Sequence, residues 1–173
     1  MAAVFLGLGS NIERERYITA GLDALERLFG EPGLSAVYDS PAIGFDGQPF
    51  LNLVAAVQTT LALAELAATL RHLETEHGRP PDAPRFSARQ LDIDILTYDD
   101  RVGTFGAVTL PRAEILENAF VLRPLAELAP GALHPVAGRS YAELWERFDQ
   151  ASQPLRRVDF TWRGRAISSA SDD

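Results

Sequence analysis

The stretch "RQLDIDILTYDD", residues 89–100, holds two aspartates, Asp92 and Asp94, on either side of an isoleucine inside an otherwise apolar run. If the run is a β-strand, residues two apart share a face. Both carboxylates then project together, while Leu91, Ile93 and Ile95 project the other way into a core. Two carboxylates so close repel, and a divalent cation held by oxygen ligands is the simplest compensation. Magnesium suits, because it commonly takes one or two protein carboxylates and fills its shell with water and phosphate oxygens. A D-x-D pair alone is weak evidence, since a solvated polar face on a half-buried strand has the same pattern. What sharpens it is the loop leading into the strand, which carries Arg79, Arg85 and Arg89. Guanidinium forks for phosphate beside carboxylates for magnesium are the two halves that phosphoryl transfer requires.

A second constellation lies in "SPAIGFDGQPFLNLV". Phe50 and Asn52 are two apart on a predicted strand and share a face; an asparagine amide both donates to and accepts from the edge of a heterocycle. An aromatic beside an amide suits a flat polar ring, although a core Phe50 with Asn52 as an edge residue fits the local sequence equally well. His72 and His77 are five apart on a predicted helix, the wrong spacing for a metal pair, and His134 stands alone in a loop; all three read as surface or capping residues. Trp145 and Trp162 read as packing residues. The "GLGSN" start lacks the third glycine and the acidic follow-up of a dinucleotide fingerprint.

The elements that must position these groups are legible in the pattern. "AAVFLGLG" reads as a strand, and "SNIERERYITAGLDALERLFG" as a helix with Ile12, Tyr17, Leu22, Leu25 and Leu28 near helical spacing. "LSAVYDS" and "FLNLVAAVQTT" read as strands two and three, separated by a Pro- and Gly-rich loop. "LALAELAATLRHLETEHG" is an amphipathic helix stopped at Gly78, and the D-x-D segment is strand four. The order β-α-β-β-α-β is that of a ferredoxin-like α+β sandwich, a mostly antiparallel sheet with both helices on one face. That arrangement leaves the aspartate face open. Downstream, "AEILENAFVLRPLAELAP" and "YAELWERF" read as helices and "LRRVDFTW" as a late strand or extended edge. Residues 1–162 read as a single domain, and 163–173 as a polar, disordered tail. The loops at 44–49 and 79–90 flank the proposed site and are expected to close over substrates.

At 173 residues, 46% apolar and 23% charged, the composition is that of one globular domain. There is no cysteine, so disulfides, thiolate metal sites and cysteine nucleophiles are excluded together. All 16 cationic side chains are arginines, yet the net charge is −8, which argues against non-specific binding to nucleic acid or to an anionic membrane. No apolar run is long enough for a membrane span, and a cytoplasmic, monomeric protein is expected.

Three separated segments, "GLGSN", "SPAIG…QPFLN" and "GR……RFSARQLDIDIL", followed by "LPRAEILENAFVLRPLAELAP", resemble the 6-hydroxymethyl-7,8-dihydropterin pyrophosphokinases of folate biosynthesis. The likeness runs in order from about Leu6 to Pro130. It implies the ferredoxin-like fold and a reaction in which ATP donates its β,γ-diphosphate to the pterin hydroxymethyl group, releasing AMP. It further implies two magnesium ions bridged by Asp92 and Asp94, with Arg79 and Arg89 neutralising the transferring group. Asn52 would hydrogen-bond the pterin edge between Phe50 and Phe120, with Gly9, Ser40, Pro41 and Ile43 completing that pocket. Glu74, Arg85, Ile95, Thr109 and Arg112 would lie on the ATP side. The chain departs from the family pattern at Pro81, Phe86, Ser87, Ala88, Arg112, Ala113 and Asn118. A diverged relative that binds pterin or nucleotide without transferring diphosphate is the alternative these departures raise. A ferredoxin-like RNA-binding module is the second; it requires a basic sheet surface, where this strand offers two aspartates.

Overall fold

β1 (Ala2–Ser10) sets the frame by alternation: Val4, Leu6 and Leu8 are buried on one face, and Phe5, Gly7 and Gly9 lie on the other. The computed structural model describes residues 1–42, 46–79 and 88–172. After β1 come α1 (Arg14–Phe29), β2 (Gly33–Leu34), β3 (Val37–Ser40), β4 (Phe50–Thr59), α2 (Leu63–Glu76) and β5 (Asp92–Tyr98). The single strand expected at "LSAVYDS" is split, since β2 and β3 both pair with β4 but are interrupted at Ser35 and Ala36. Ser35 explains the break: its N–H donates to the Val54 carbonyl, and its Oγ accepts from the Val54 N–H at 2.9 Å.

The main sheet runs β5-β1-β4-β3 and is extended at the outer edge of β3 by β8 (Arg156–Val158), with every adjacent pair antiparallel. The first four strands stand in the ferredoxin-like order expected from the sequence, and β8 is the addition. α1 buries Ile18, Leu22 and Leu25, and α2 buries Leu63, Leu66, Leu70 and Leu73, on the same sheet face as Leu91, Ile93 and Ile95. Each of these aliphatic side chains, fully buried, contributes about 1.5–3 kcal/mol.

The opposite face is not left open along its whole length. β6 (Gly103–Phe105) and β7 (Val108–Leu110) form a hairpin, and α3 (Glu114–Glu117), α4 (Ala119–Leu128) and α5 (Tyr141–Arg147) follow. Val121, Leu122 and Leu125 of α4 and Tyr141 of α5 pack on Val54 and Leu96, a second core on the aspartate side of the sheet. Among the described residues, the end of that face carrying Asp92 and Asp94 is left half-buried. The helix expected over the whole of 113–130 is broken at Asn118, whose backbone is extended (φ −122, ψ 123).

The sequence reading ends the folded chain at Trp162, whereas in the structure β9 (Phe160–Trp162) continues through Arg163 and Gly164, both at positive φ, into β10 (Arg165–Ser168). Two such residues make the two-residue hairpin turn whose twist suits antiparallel strands. Trp162 is fully buried in the α1-side core and its Nε1 donates to Asp23 Oδ1 at 2.9 Å. Ser168 Oγ accepts from the Val37 N–H at 2.9 Å and donates to the Val158 carbonyl at 2.6 Å. A segment with so few apolar residues shows no periodicity, so composition alone reads it as a tail.

Candidate active site

Strand register places the acidic pair and the amide in shared rows. Gly9 lies opposite Asp92 on β5 and Asn52 on β4, and Asn52 in turn lies opposite Tyr38 on β3. In the next row Gly7 separates Asp94 from Val54. The two glycines make the floor of a trough between the carboxylates and the amide. A Cβ on Gly9 would sit 2.9 Å from Asn52 Nδ2, closer than side-chain carbons tolerate, which is the physical reason for glycine there. Ser40 Oγ donates to Asn52 Oδ1 at 2.6 Å. That bond fixes the amide, so Nδ2 is the group turned toward Gly9.

Asn52, Asp92, Asp94, Gly7, Leu96 and Phe120 line a cavity of about 30 Å³ over this trough, room for one or two waters at most. Phe50 is beside it, with Cδ1 3.5 Å from the Gly9 Cβ position, whereas Pro41 is exposed outside the lining. Ile43 lies outside the described residues. Phe120 sits in the first turn of α4, where Pro124 has no N–H to donate to the Phe120 carbonyl.

A larger cleft of about 340 Å³ runs along the outer edge of β5, between α2 and the β6–β7 hairpin. Glu74, Ile95 and Arg112, expected on the ATP side, line it together with Arg79, Arg89 and Asp94. Thr109 does not: its exposed Oγ1 bonds Thr104 Oγ1 at 3.3 Å, and its neighbours Ala107 and Val108 form that wall instead. Alternation along β7 turns position 109 away. Arg85, with Pro81, Phe86 and Ser87, lies outside the described residues. Asp94 belongs to both spaces, so a group bound in the cleft and one in the trough meet at its carboxylate.

The electrostatics of that junction are dominated by three carboxylates. Glu74, Asp92 and Asp94 each offer an oxygen, all within 4.8 Å of one another. Glu74 is aimed by the Ile93 N–H, which donates to its Oε2 at 2.8 Å. Burial, followed by the neighbouring Asp92 charge, holds the Asp94 carboxyl well above the ordinary carboxylate range. Burial also raises Asp92 and Glu74, opposed chiefly by Arg89 for Asp92 and by the Ile93 N–H for Glu74. Arg89 pairs directly with Asp92 and lies 3.9 Å from Glu74. Arg112 Nη2 is 3.6 Å from Asp94, beyond hydrogen-bond length, because its Nε is paired with Glu114. Among the described residues, Glu74, Asp92 and Asp94 stand beside Arg89 and Arg112, the latter shared with Glu114, and Arg79 lies on the same cleft wall. Hard oxygen donors in that number and spacing fit a divalent cation of the magnesium type.

Several residues here escaped the sequence reading. Asn11, buried after β1, accepts from the Arg89 N–H through Oδ1 at 2.7 Å and donates from its own N–H to the Arg89 carbonyl at 3.0 Å. Its Nδ2 donates to the Gln48 carbonyl at 3.1 Å, so one side chain ties the Arg89 backbone to the loop ahead of β4. The family likeness puts Glu74 on the nucleotide side, and its place as third carboxylate emerges only from the convergence of α2 on β5. Arg71, one helical turn before Glu74, and Thr75, four residues after Arg71, add to the cleft wall from α2. Gly78, at φ 97, turns the chain after α2, and the Arg79 N–H closes back on the Glu74 carbonyl at 3.1 Å. The histidines lie away from the cluster: His72 pairs with Glu76 on the surface and His77 Nδ1 bonds the Leu73 carbonyl. His134 is buried rather than exposed, accepting from the Val136 and Ala137 N–H groups.

A ferredoxin-like sandwich with three carboxylates at the junction of an arginine-lined cleft and an amide-bearing trough offers oxygen donors for a cation beside guanidinium forks for an anion. The family model for 7,8-dihydro-6-hydroxymethylpterin-pyrophosphokinase matches residues 5–130. A 2-amino-4-hydroxy-6-hydroxymethyldihydropteridine pyrophosphokinase of Pseudomonas aeruginosa is 42% identical over 146 residues, covering 82% of this chain and 88% of the relative. Its namesake in Aquifex aeolicus is 37% identical over 138 residues, 79% of this chain and 86% of the relative. Among solved structures, a triple mutant of Plasmodium falciparum HPPK-DHPS superposes with a TM-score of 0.74 at 13% identity over 96% of this chain. The chain spans 46% of that longer protein, and the likeness is one of fold. The chain belongs to the 7,8-dihydro-6-hydroxymethylpterin-pyrophosphokinase family, and its activity is diphosphate transfer to a hydroxymethyldihydropterin in folate biosynthesis. No helix among the described residues is long and apolar enough to cross a membrane.

Proposed function

We propose that ATP is the diphosphate donor, bound in the cleft along β5, and that the pterin lies in the trough over Gly7 and Gly9. The observation that carries this reading is the position of Asp94, common to both spaces and flanked by Asp92 and Glu74. Asp92 and Asp94 would bridge two magnesium ions, with Glu74 contributing to the same oxygen set. When bound, such ions supply positive charge to the phosphate oxygens and bring the triphosphate against the acceptor. Arg79, Arg89 and Arg112 stand on the cleft wall where charge develops on the transferring group. Arg71 adds a further cation to the same wall.

On the pterin side, Ser40 holds Asn52 so that its Nδ2 donates to an acceptor on the ring edge, and Phe50 and Phe120 supply apolar surface. The hydroxymethyl oxygen forms a bond to the β-phosphorus. The bond between that phosphorus and the oxygen bridging to the α-phosphate breaks, AMP departs with that oxygen, and the hydroxyl proton leaves to solvent. The chain works as a cytoplasmic monomer on small molecules, and the net charge of −8 supports the absence of a nucleic-acid partner. Incubation with ATP, magnesium and the reduced hydroxymethylpterin should release AMP in step with pterin diphosphate. Release of ADP in place of AMP would overturn the donor chemistry, and turnover undiminished by chelation of divalent ions would overturn the metal role.

A further inference from the structure

The same sheet row continues past Asn52 to a cluster outside the site described so far. Tyr38, fully buried, lies opposite Asn52 on one side and Arg157 of β8 on the other. Its hydroxyl donates to Glu127 Oε2 at 2.9 Å and accepts from Arg157 Nη2 at 3.0 Å. Arg157 also pairs with Glu127, and the Arg123 guanidinium stacks 4.7 Å from the centre of the Tyr38 ring. Glu127 Oε1 accepts from the Ala36 N–H at 2.5 Å. One carboxylate therefore joins α4 to the start of β3, to a side chain of β3 and to the C-terminal strand. Burial and the Glu127 charge push the Tyr38 hydroxyl up to about 12, so it remains a donor.

We propose that Glu127 is a positioning residue that sets the width of the pterin trough, with Arg157 of the C-terminal strand completing the tie. Phe120, Arg123 and Glu127 are spaced i, i+3 and i+7, one stripe of α4. At one end of the stripe Phe120 lines the trough; at the other, Glu127 grips β3 two to four residues before Ser40. Ser40 orients Asn52. The distance between the ring of Phe120 and the amide of Asn52 is thus governed by a bond network formed away from both. The segment that supplies Arg157 lies beyond the 5–130 family match, and β8 reaches the trough only indirectly, through its pairing with β3. The inference rests on the pterin occupying the trough.

Glu127→Gln and Tyr38→Phe keep shape while weakening the tie, and Arg157→Lys keeps its charge. Asp23→Asn loosens Trp162 on the opposite face and serves as the stability control. Steady-state AMP release should show the pterin KM raised about five- to tenfold in Glu127→Gln and Tyr38→Phe, with the ATP KM within about twofold. Arg157→Lys should lie between these variants and the parent, and Asp23→Asn should lower Tm without moving the pterin KM. Equal KM values in parent and variants, or a shift in Asp23→Asn matching that in Glu127→Gln, would reduce the cluster to a fold-stabilising role and overturn the proposal. If the parent releases no AMP, the donor chemistry fails separately, and pterin Kd by equilibrium dialysis then separates a widened trough from a merely loosened fold in the same set of variants.

Discussion

Replacing Asp94 by asparagine tests the acidic junction in both directions at once. The substitution is nearly isosteric and removes one charge. At an effective dielectric constant of about 20, two unit charges no more than 4.8 Å apart repel by at least about 3 kcal/mol. Asp94 faces two such neighbours and gains from Arg112 at 3.6 Å, an attraction diluted by exposure of Arg112 and by its pairing with Glu114. Loss of the charge should leave the ligand-free protein more stable by about 1 kcal/mol, or roughly 2–4 °C in Tm for a chain of this size. The sign with pH follows from the raised Asp94 carboxyl. Its ionisation costs stability at neutral pH, and the parent recovers that cost by taking up a proton as pH falls through the raised value. The advantage of asparagine should therefore shrink on acidification and vanish near the ordinary value of about 3.8. Binding should invert the order. Magnesium with a non-cleavable α,β-methylene ATP analogue at about 100 times its Kd stabilises the parent by about 2.7 kcal/mol, and Asp94→Asn should gain less than half of that. Thermal unfolding by scanning fluorimetry at several pH values, with and without the ligand pair, reads both effects. A variant that is less stable than the parent when ligand-free, yet equally stabilised by magnesium and analogue, would refute the account of the junction.

Three further outcomes follow from the packing around it. Gly9→Ala should press a methyl group against Asn52 Nδ2, raising the pterin KM about tenfold while Tm changes little, because the displaced group is a side-chain end; an unchanged KM would show the trough to be wider than described. Asn11→Ala should cost about 1–3 kcal/mol in urea unfolding and lower kcat with it, since one buried amide holds both the Arg89 backbone and the loop at Gln48; a fully stable, fully active variant would dismiss that coupling. Trp162→Ala should destabilise by about 3–5 kcal/mol in the same assay, and a loss under 1 kcal/mol would mean that the C-terminal hairpin is not part of the core.

Local pattern carried a good deal. Alternation alone put Leu91, Ile93 and Ile95 in the core and turned Asp92 and Asp94 to the other face, because the two-residue period of a strand is fixed by backbone geometry. Helical spacing marked Leu22 and Leu25 of α1 as core, though Leu28 is exposed and Ile12 precedes the helix, and it marked α2 as amphipathic; the order of elements was enough for the ferredoxin-like sandwich. What the local pattern does not contain is register and convergence. That Asn52, Gly9 and Asp92 share one row depends on how β4 and β5 slide against β1, which the summed packing of both faces decides. Glu74 joins the aspartates only because α2 docks on β5, and Thr109 leaves the cleft because β7 turns it outward. The second core over Val54 and Leu96, and the return of β8 to the edge of β3, were set by apolar surface and unpaired strand edges that only a folded sheet presents. Side-chain chemistry and its facing are local properties of this chain; the distances at which those groups meet are properties of the whole fold.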